Sequence, residues 1–550
     1  MPRAISGPGF QAVILCGPGV SLNTFTSKMP KALVPIANRP MVWYPLDWCY
    51  RMGISDITLI TPPESAPALE AALSQNPHLT SLPAPKPEVL SPPLLTPTTG
   101  TGELFRLPEV QSAITGDFIV LPCDLVCELE GTALLEAWMI QTAGLGGATG
   151  GLTETNKPAP MTLGGEKSGR RGGMAVWYHT KGEGSVKGEE TDFVATTPLP
   201  PPIVPSPRGS IRPQVSNLVY SLPTDTLNDV TAEKKGFPIR QALIRRHGRV
   251  RMRTTHRDAH IYVFPHWVLR LMKRNALDSV SEDVVGLWAK ATWQHPRLAE
   301  KLGMREIFAD AADKEPDDAM GGSGILDDEV DVAALSSTYE PRTENKVGSF
   351  SVPPMLAYVQ PPGPSLPLIR RVDTAALLLS VSLRLARLPS LEEGSSSPLS
   401  HTAKTANPSG VPKKCRVESA DSLLAENVTV AEKCNIKESV IGANCEIGEG
   451  ARLLRCLLMD GAVVGSNCQL TGCILGRRCK VEGGPARDEK TVLKDCEVQE
   501  GNIVPWGTEA KNEKFMIFEG LSDEGDVEED MAEHFDDVLA DSGEPGVSQR

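Results

Sequence analysis

The chain has 550 residues, 40% of them hydrophobic, and a formal net charge of −14. This length allows two or three domains with ample apolar side chains for their cores, and the longest apolar run, 375–383, is only about half of what a membrane span needs. An acidic tail at 519–550, with twelve acidic residues and one basic residue, supplies −11 of the charge. We therefore expect no membrane span, no signal peptide and no strongly basic face for direct nucleic-acid binding.

The first 135 residues read as alternating strands and helices. Apolar runs predict strands at 11–16, 54–60 and 117–121. Helical spacing of apolar and aromatic residues predicts helices at 41–52 and 64–74. Structured patterns return at 216–222, 259–273 and 368–388. This alternation predicts a parallel sheet with helical crossovers.

Three stretches interrupt these patterns. Residues 144–213 are crowded with Gly, Lys, Glu and Pro, residues 309–350 are acidic, and residues 389–412 are rich in Ser and Pro. Such compositions bury too little apolar surface to order themselves. We therefore predict an α/β domain over 10–388 with disordered insertions at 144–213 and 309–350, followed by a linker over 389–414.

A seventeen-residue repeat follows the linker. Its aliphatic positions form three sets: Val430, Ile447, Val464 and Val481; Ile436, Leu453 and Leu470; Ile441, Leu458 and Leu475. Steps of six, five and six residues fit three short sides per turn of a parallel β-helix built from hexapeptide-type units, and fit neither an α-helix nor a free strand. We predict this domain over 415–518, with about three regular coils and an irregular closing rung at 495–504, then a solvated tail at 519–550.

The cysteines support the coil prediction. Eight of the twelve lie between Cys415 and Cys496, and six stand two residues before a repeat position, on the same face of an extended segment. These six are Cys434, Cys445, Cys456, Cys468, Cys473 and Cys479. No two of them form a Cys-x-x-Cys pair, so core packing explains them better than a metal cluster. Buried, reduced thiols also indicate a cytosolic, cytoplasmic protein.

A glycine loop leaves the first predicted strand. It contains Gly17 and Gly19, and the segment Pro30-Lys31-x-Leu-x-Pro35 follows. Such loops bind phosphates on backbone N–H groups, although a glycine loop alone is a weak signal. Together with the Pro-Lys segment, this region resembles the sugar-phosphate nucleotidyltransferases, which join a Rossmann-like α/β domain to a left-handed parallel β-helix. The resemblance implies a base-side motif at Gly100 and Gly102 and a metal-binding carboxylate at Asp124.

Three of the five catalytic groups that the resemblance implies are missing. Ser21 stands where the family has an Arg that stabilises charge on the transferred phosphates, and Leu222 stands where it has a Lys that holds the sugar phosphate. Arg371 falls at the position of the second metal-binding Asp, where a cation opposes Mg²⁺. Asp373 restores this position only if the register is shifted by two. We therefore expect no nucleotidyl transfer and no metal site.

A degenerate nucleotidyltransferase domain on a β-helix is similar to one family in particular, the gamma subunits of the guanine-nucleotide exchange factor for translation initiation factor 2. Five segments carry this resemblance: 10–15, 33–41, 258–264, 279–285 and 503–508. Epsilon subunits continue into a helical catalytic domain where this sequence has its acidic tail, and the alpha, beta and delta subunits lack the coils. The resemblance implies a non-catalytic scaffold or regulatory subunit that pairs with epsilon and the other subunits. The complex would replace GDP with GTP on initiation factor 2.

Alternatives remain open. One is an active sugar-1-phosphate nucleotidyltransferase such as mannose-1-phosphate guanylyltransferase, for which nothing in the sequence compensates Ser21 and Leu222. Another is weak binding of GTP or GDP without chemistry and with no required cofactor. The vestigial nucleotide-binding residues would be Gly17, Gly19, Lys31, Gly100, Gly102 and Asp124. Trp506 is either an anchor for a partner or a cap on the open end of the β-helix.

Overall fold

A computed structural model describes most of the chain. The described residues are 9–142, 172–182, 185–199, 208–294, 297–312, 352–363, 366–407, 412, 414–418, 420–484 and 490–517. The acidic tail at 519–550 and most of the predicted insertion at 309–350 lie outside them. None of the described helices is long and apolar enough to cross a membrane.

Thirteen strands belong to the described part of the N-terminal domain. They are β1 (Gln11–Leu15), β2 (Pro35–Ile36), β3 (Arg39–Pro40), β4 (Asp56–Ile60), β5 (Glu88–Leu90), β6 (Phe118–Pro122), β7 (Leu125–Cys127), β8 (Gly173–His179), β9 (Asp192–Pro198), β10 (Val215–Pro223), β11 (Arg251–Phe264), β12 (Met355–Val359) and β13 (Ile369–Arg371). Nine of them form one sheet in the order β5-β4-β1-β6-β11-β8-β12-β10-β9. Two small antiparallel pairs, β2 with β3 and β7 with β13, lie beside it.

The sheet is parallel only in part, so the prediction of a parallel sheet holds for one half. Strands β5, β4, β1 and β6 are parallel. Strand β11 then runs antiparallel to both β6 and β8, and β10 runs antiparallel to both β12 and β9. All five residues of β6 are buried, as expected for a strand with both faces covered. The reversal at β11 brings the beginning of that strand to the edge where β1 and β6 end.

Helices cover both faces of the sheet. The described helices are α1 (Asn23–Thr26), α2 (Trp43–Arg51), α3 (Ala66–Gln75), α4 (Pro77–Thr80), α5 (Thr101–Leu104), α6 (Pro108–Ala113), α7 (Gly131–Thr142), α8 (Thr224–Lys234), α9 (Gln241–Arg246), α10 (Trp267–Arg274), α11 (Gly286–Ala291), α12 (Arg297–Lys301), α13 (Met304–Ala312) and α14 (Ala375–Arg387). A π-helical turn at Val280–Val285 precedes α11. Each face of the sheet packs in its own hydrophobic core. Consecutive residues of β1 point to opposite faces, so Ile14 packs in one core and Val13 in the other.

The prediction of a disordered insertion over 144–213 is wrong for part of that range. Strands β8 and β9 lie within it, and β8 is a central strand with six of its seven residues buried. The polar composition around these strands concealed two short apolar runs that other strands order on both sides. Residues 143–171 and 200–207 lie outside the described residues. At the second insertion, 309–350, helix α13 includes the first four residues.

The predicted linker over 389–414 packs against the N-terminal domain where it is described. Leu399 and Ser400 are buried, and the Arg39 guanidinium donates hydrogen bonds to both of their carbonyl oxygens at 2.9 and 2.8 Å. The Ser-rich composition therefore does not make this segment a free tether. A buried Arg from the first domain holds its backbone instead.

The C-terminal domain is a parallel β-helix of three sheets. One face consists of Arg416–Val417, Asn435–Lys437, Arg452–Leu454, Gln469–Thr471, Val492–Lys494 and Glu509–Lys511. A second face consists of Leu423–Leu424, Val440–Ile441, Leu457–Leu458, Ile474–Leu475, Glu497–Val498 and Lys514–Phe515. The third consists of Thr429–Val430, Glu446–Ile447, Val463–Val464, Lys480–Val481 and Ile503–Val504.

The coils extend beyond the predicted repeat at both ends. The rung predicted as irregular at 495–504 is a regular coil, because Val504 pairs with Val481 and Val498 with Leu475. Six extra residues between Val481 and Val504 form an insertion that hides the period in the sequence. A further coil precedes Val430, with Leu424 in register with Ile441.

The corners of the coils also repeat. Residues with positive φ recur in three columns at the same period: Asn427, Asn444, Gly461, Arg478 and Gly501; Lys433, Gly450, Asn467 and Gly507; Glu438, Arg455, Gly472, Asp495 and Asn512. Gly, Asn and Asp tolerate this left-handed conformation best, which accounts for most of these positions. The six predicted core cysteines are all buried in the coil interior, at 0–2% exposure. The prediction of core packing is confirmed.

One face of the β-helix packs on the N-terminal domain. Leu423, Val440, Leu457 and Ile474 point away from the coil interior and join the N-terminal core, where α14 contacts the second face. We call this contact the domain seam. Polar contacts border it: Arg387 pairs with Glu438 at 2.6 Å, and Thr24 Oγ1 donates to Glu497 at 2.8 Å. One of the three coil faces is therefore unavailable to a partner.

Candidate functional site at the carboxyl edge of the parallel strands

The predicted phosphate loop lies where β1 ends. Gly17 has open space around its Cα, whereas a Cβ on Gly19 would collide with the side chain of Thr26. Thr26 Oγ1 donates a hydrogen bond to the Gly19 carbonyl at 3.1 Å. Ser21, which replaces the family's Arg, is exposed to solvent. The loop therefore has the backbone geometry to approach a ligand and carries no cation of its own.

Asp124 follows β6 and is enclosed by two cations. The Lys31 Nζ lies 2.6 Å from one carboxylate oxygen, and the Arg371 Nε lies 3.6 Å from the other. The backbone N–H of Val372 donates to the Asp124 carbonyl at 2.8 Å. This hydrogen bond fixes the register between the two segments and so places Arg371 beside the Asp124 carboxylate. We call Lys31, Asp124 and Arg371 the Asp124 cluster.

The charges of the Asp124 cluster stabilise one another. Burial alone would raise the pKa of Asp124, but Lys31 and Arg371 outweigh it and hold that pKa well below its ordinary value. Burial lowers the pKa of Lys31, and Asp124 more than restores it, so that the net change is upward. The carboxylate is therefore ionised and neutralised from within the chain.

Asp373, the alternative candidate for the second metal ligand, is paired with cations of the chain. Arg257 holds it with two hydrogen bonds of 3.2 and 2.6 Å and also contacts Glu190 at 3.0 Å. Among the described residues no group of three His, Cys, Asp or Glu side chains is arranged to hold a metal ion. Two carboxylates that are each paired to cations do not fit a Mg²⁺ site of the type the family uses.

Gly100 and Gly102 pack against protein backbone. A Cβ on Gly100 would collide with the carbonyl oxygen of Asp278, and one on Gly102 with that of Leu277. The Gly102 N–H donates to the Asp278 carbonyl at 2.8 Å. Close packing of two segments thus suffices to explain both glycines, and their role toward a nucleotide base stays a prediction.

A cavity of about 610 Å³ opens beside the Asp124 cluster. Its lining includes Leu222, to which the resemblance assigns the position of the family's sugar-phosphate Lys, together with Ser221, Asp192, Asp258 and Arg371. The residues described around it include Arg371 of the cluster but none of the six predicted nucleotide-binding residues. The cavity therefore adjoins the Asp124 cluster through Arg371 and is lined by none of the predicted nucleotide-binding residues.

The cavity wall contains a bulge in β11. The register shifts between Asp258 and Tyr262, and His260 adopts a left-handed φ of 52° there. The His260 ring lies 3.1 Å from Arg371, and burial followed by Arg371 holds the pKa of this imidazole well below its ordinary value. Burial, with the nearby Asp192 carboxylate, raises the pKa of Asp258 to about 7.

The sequence analysis missed Arg257, Asp258 and His260 as members of this site. They lie at or immediately before the apolar run at 261–264, for which the sequence predicts ordered structure and a family resemblance but no role in a site. Their position as charged or polar residues beside a buried strand was the sequence signal that could have indicated a role in the site. Because the strand runs antiparallel, these residues reach the carboxyl edge from its beginning.

Comparison with known proteins matches both domains. The family model for nucleotidyl transferases matches residues 11–160, and that for the eIF2B subunit epsilon LbH domain, a left-handed β-helix, matches residues 404–508. The translation initiation factor eIF2B subunit gamma of Schizosaccharomyces pombe is 26% identical over 290 residues, which are 52% of this chain and 52% of that protein. The chain is homologous to the eIF2B gamma subunit. The chain thus spans about half the length of this relative.

Two shorter matches each cover only a small part of the chain. Glucose-1-phosphate thymidylyltransferase of Mycobacterium tuberculosis is 37% identical over 67 residues, 12% of this chain and 23% of the enzyme. The corresponding enzyme of Mycolicibacterium smegmatis is 38% identical over 61 residues, 11% of this chain and 21% of the enzyme. The predicted fold class, a nucleotidyltransferase-like α/β domain followed by a left-handed parallel β-helix, is confirmed.

Proposed function

We propose that this chain is a non-catalytic scaffold or regulatory subunit of an eIF2B-type guanine-nucleotide exchange complex of the cytosol. It pairs with the epsilon subunit and the other subunits, and the complex replaces GDP with GTP on translation initiation factor 2. The homology to eIF2B gamma supports the complex. The observation that carries the non-catalytic role is Arg371, a cation 3.6 Å from Asp124 where nucleotidyl transfer needs a metal-binding carboxylate.

The outward coil surface is our candidate for the contact with epsilon. Ile503 is 58% exposed and lies in the last strand of the third coil face. Trp506 is 51% exposed and lies in the turn after that strand. Trp506 does not belong to the coil core, which argues against the role of a cap. Exposed Trp and aliphatic side chains are typical anchors of protein interfaces. The domain seam covers the second face of the coils. We therefore expect partners to contact the first and third faces.

The first experiment tests the absence of chemistry. The purified chain is incubated with GTP, Mg²⁺ and mannose-1-phosphate, and with dTTP and glucose-1-phosphate, and pyrophosphate release is measured. We expect none, whereas turnover abolished by Asp124→Ala would replace the scaffold proposal by the nucleotidyltransferase alternative. Equilibrium dialysis with labelled GTP and GDP in the same samples tests weak, metal-independent nucleotide binding at the loop and Lys31.

The second experiment tests assembly. Affinity capture of the tagged chain from lysate should recover a larger paralogue of the epsilon type and initiation factor 2. Trp506→Ala with Ile503→Ala should reduce recovery of the paralogue at least about tenfold, a loss of about 1.4 kcal/mol. The matched control is Leu94→Ala, which removes a side chain that is 71% exposed on the N-terminal domain. Equal recovery with all variants would exclude this coil surface, and recovery of neither partner would exclude the complex.

A further inference from the structure

A basic surface lies on the N-terminal domain. Residues 234–253 contain eight Lys and Arg and no Asp or Glu, in a chain whose net charge is −14. They form the end of α8, helix α9 and the beginning of β11. We call residues 234–253 the basic surface. The expectation that the chain has no basic face for direct nucleic-acid binding stays a prediction.

The cations of the basic surface are exposed and lack acidic partners. Seven of the eight are exposed, and none of the eight forms an ion pair with any residue that the structure describes. Their side-chain contacts are with neutral groups, such as Arg240 with Gln294 at 3.4 Å and Arg253 with Thr196 at 3.1 Å. The proximity of Arg251 contributes to a lowered pKa of Arg253, after burial. No ion pair among the described residues therefore neutralises these cations, which remain available to an acidic partner.

Apolar side chains are exposed among these cations. Ile239 is 51%, Ile244 is 60% and Met252 is 42% exposed. The segment is nevertheless anchored, because Leu243 of the same helix is buried in a cluster with Phe193 and Trp293. A fixed surface that combines cations with exposed aliphatic side chains fits an acidic peptide that carries apolar residues of its own.

The chain contains such a peptide. The tail at 519–550 has a charge of −11, and its apolar residues Met531, Phe535, Val538 and Leu539 recur at the spacing of one helical face with acidic residues between them. We propose that the acidic tail docks on the basic surface of the same chain, with its carboxylates on the cations and this apolar row on Ile239, Ile244 and Met252. The bound tail covers the surface until a competing partner displaces it.

The tether permits this contact within one chain. Gln499 holds Ile517, which precedes the tail, beside the N-terminal domain, since its side chain accepts from the Ile517 N–H and donates to Ser27 Oγ at 2.8 Å. Residues 518–550 span up to about 110 Å when extended. The tail therefore follows a residue that is held beside the domain that carries the basic surface, and it has ample length.

The exposed side chains favour a peptide over a nucleic acid. Single-stranded nucleic acids bind to grooves whose aromatic side chains stack on the bases. The exposed side chains between these cations are aliphatic, and the aromatic Phe237 is only partly exposed and packs against Phe193 and Tyr220. Aliphatic side chains do not stack on bases but do pack on an apolar peptide face.

Zero-length cross-linking of the full-length chain tests the proposal. A carbodiimide joins a lysine amine to a carboxylate in contact with it, and peptide mapping then locates the bond. We expect Lys234 or Lys235 to be joined to acidic residues of 523–541, with a yield unchanged over a tenfold range of protein concentration. The yield should fall at least about fivefold in 1 M NaCl, where the Debye length is about 3 Å.

Full-length variants separate charge from packing. Arg245→Glu with Arg246→Glu and Arg249→Glu should reduce the cross-link at least about fivefold. The control reverses Arg452, Lys494 and Lys511 to Glu, three exposed cations on the outward coil face, with the same change in net charge. Met531→Ala with Phe535→Ala should reduce the cross-link without any change of charge.

Three results would overturn the proposal. One is cross-linking of the tail only to its neighbours Lys511 and Lys514. Another is cross-linking between isotope-labelled and unlabelled chains in place of linkage within one chain. The third is RNA binding at the basic surface that is equally tight in the wild type and in a variant with Asp536→Asn and Asp537→Asn, because a docked tail must compete with RNA.

Discussion

The Asp124 cluster and the basic surface both contain Lys and Arg side chains, yet these cations differ in their burial and in their pairing with acidic residues. In the cluster Lys31 and Arg371 are largely buried and neutralise one carboxylate. On the basic surface eight cations share no acidic partner among the described residues. Buried charges must be paired within the chain, whereas exposed charges are stable without partners and so remain free to bind one. Burial, rather than residue type, separates structural cations from those available for recognition.

The largest effect is expected at the centre of the cluster. Asp124→Ala leaves Lys31 and Arg371 buried without their shared counter-charge and should lower the free energy of unfolding by about 3–5 kcal/mol. Urea denaturation measures this change. The control is Asp47→Ala, which breaks a partly exposed pair with Arg51 at 2.8 Å and should have an effect of about 0.5 kcal/mol. Equal losses of stability in the two variants would contradict the expectation that the buried pairs matter more than the partly exposed pair.

Two leucines of one coil test the same contrast without charge. Leu457 and Leu454 both point away from the coil interior, but Leu457 is 1% exposed in the domain seam and Leu454 is 40% exposed to solvent. Leu457→Ala should lower the free energy of unfolding by about 2–5 kcal/mol. Leu454→Ala should change it by less than about 0.5 kcal/mol. A small loss for Leu457→Ala would mean that the seam contributes little to stability.

The cavity beside the cluster should respond to pH. The pKa of Asp258 is about 7 in the folded chain, as a result of burial and Asp192, against about 3.9 when unfolded. The folded state therefore binds the extra proton between about pH 4 and 7, so the free energy of unfolding falls as pH rises through this window, by up to about 1.4 kcal/mol per unit. Asp258→Asn should flatten this dependence in urea titrations at pH 4.5–7.5. Asp229→Asn, on the exposed face of α8, should leave it as in the wild type.

The smallest effect on stability is expected at the basic surface. Arg245→Glu with Arg246→Glu removes no ion pair that the structure describes and should change the free energy of unfolding by less than about 0.5 kcal/mol. Thermal and urea unfolding measure this directly. A loss above about 1 kcal/mol would show that these arginines stabilise the fold itself and are not free for a partner.

The seventeen-residue repeat shows how much of the β-helix can be predicted from the sequence. Steps of six, five and six residues predicted the β-helix, and their register predicted which cysteines are buried. The aliphatic doublets, such as Val440-Ile441 and Leu457-Leu458, also indicate a coil face that is apolar on both sides. The insertion between Val481 and Val504 concealed the last full coil, because a period is visible only where spacing is kept.

The sequence by itself determined the identity of the missing groups. Ser21, Leu222 and Arg371 are visible by comparison with a motif, since a motif fixes positions along the chain. Only the tertiary structure decided which side chains neutralise Asp124 and Asp373. Contact between Asp124 and Arg371 depends on the pairing of β7 with β13 across more than two hundred residues, and the capture of Asp373 by Arg257 depends on the antiparallel course of β11. Such long-range pairing arises from packing and hydrogen bonding between segments, which local patterns do not encode.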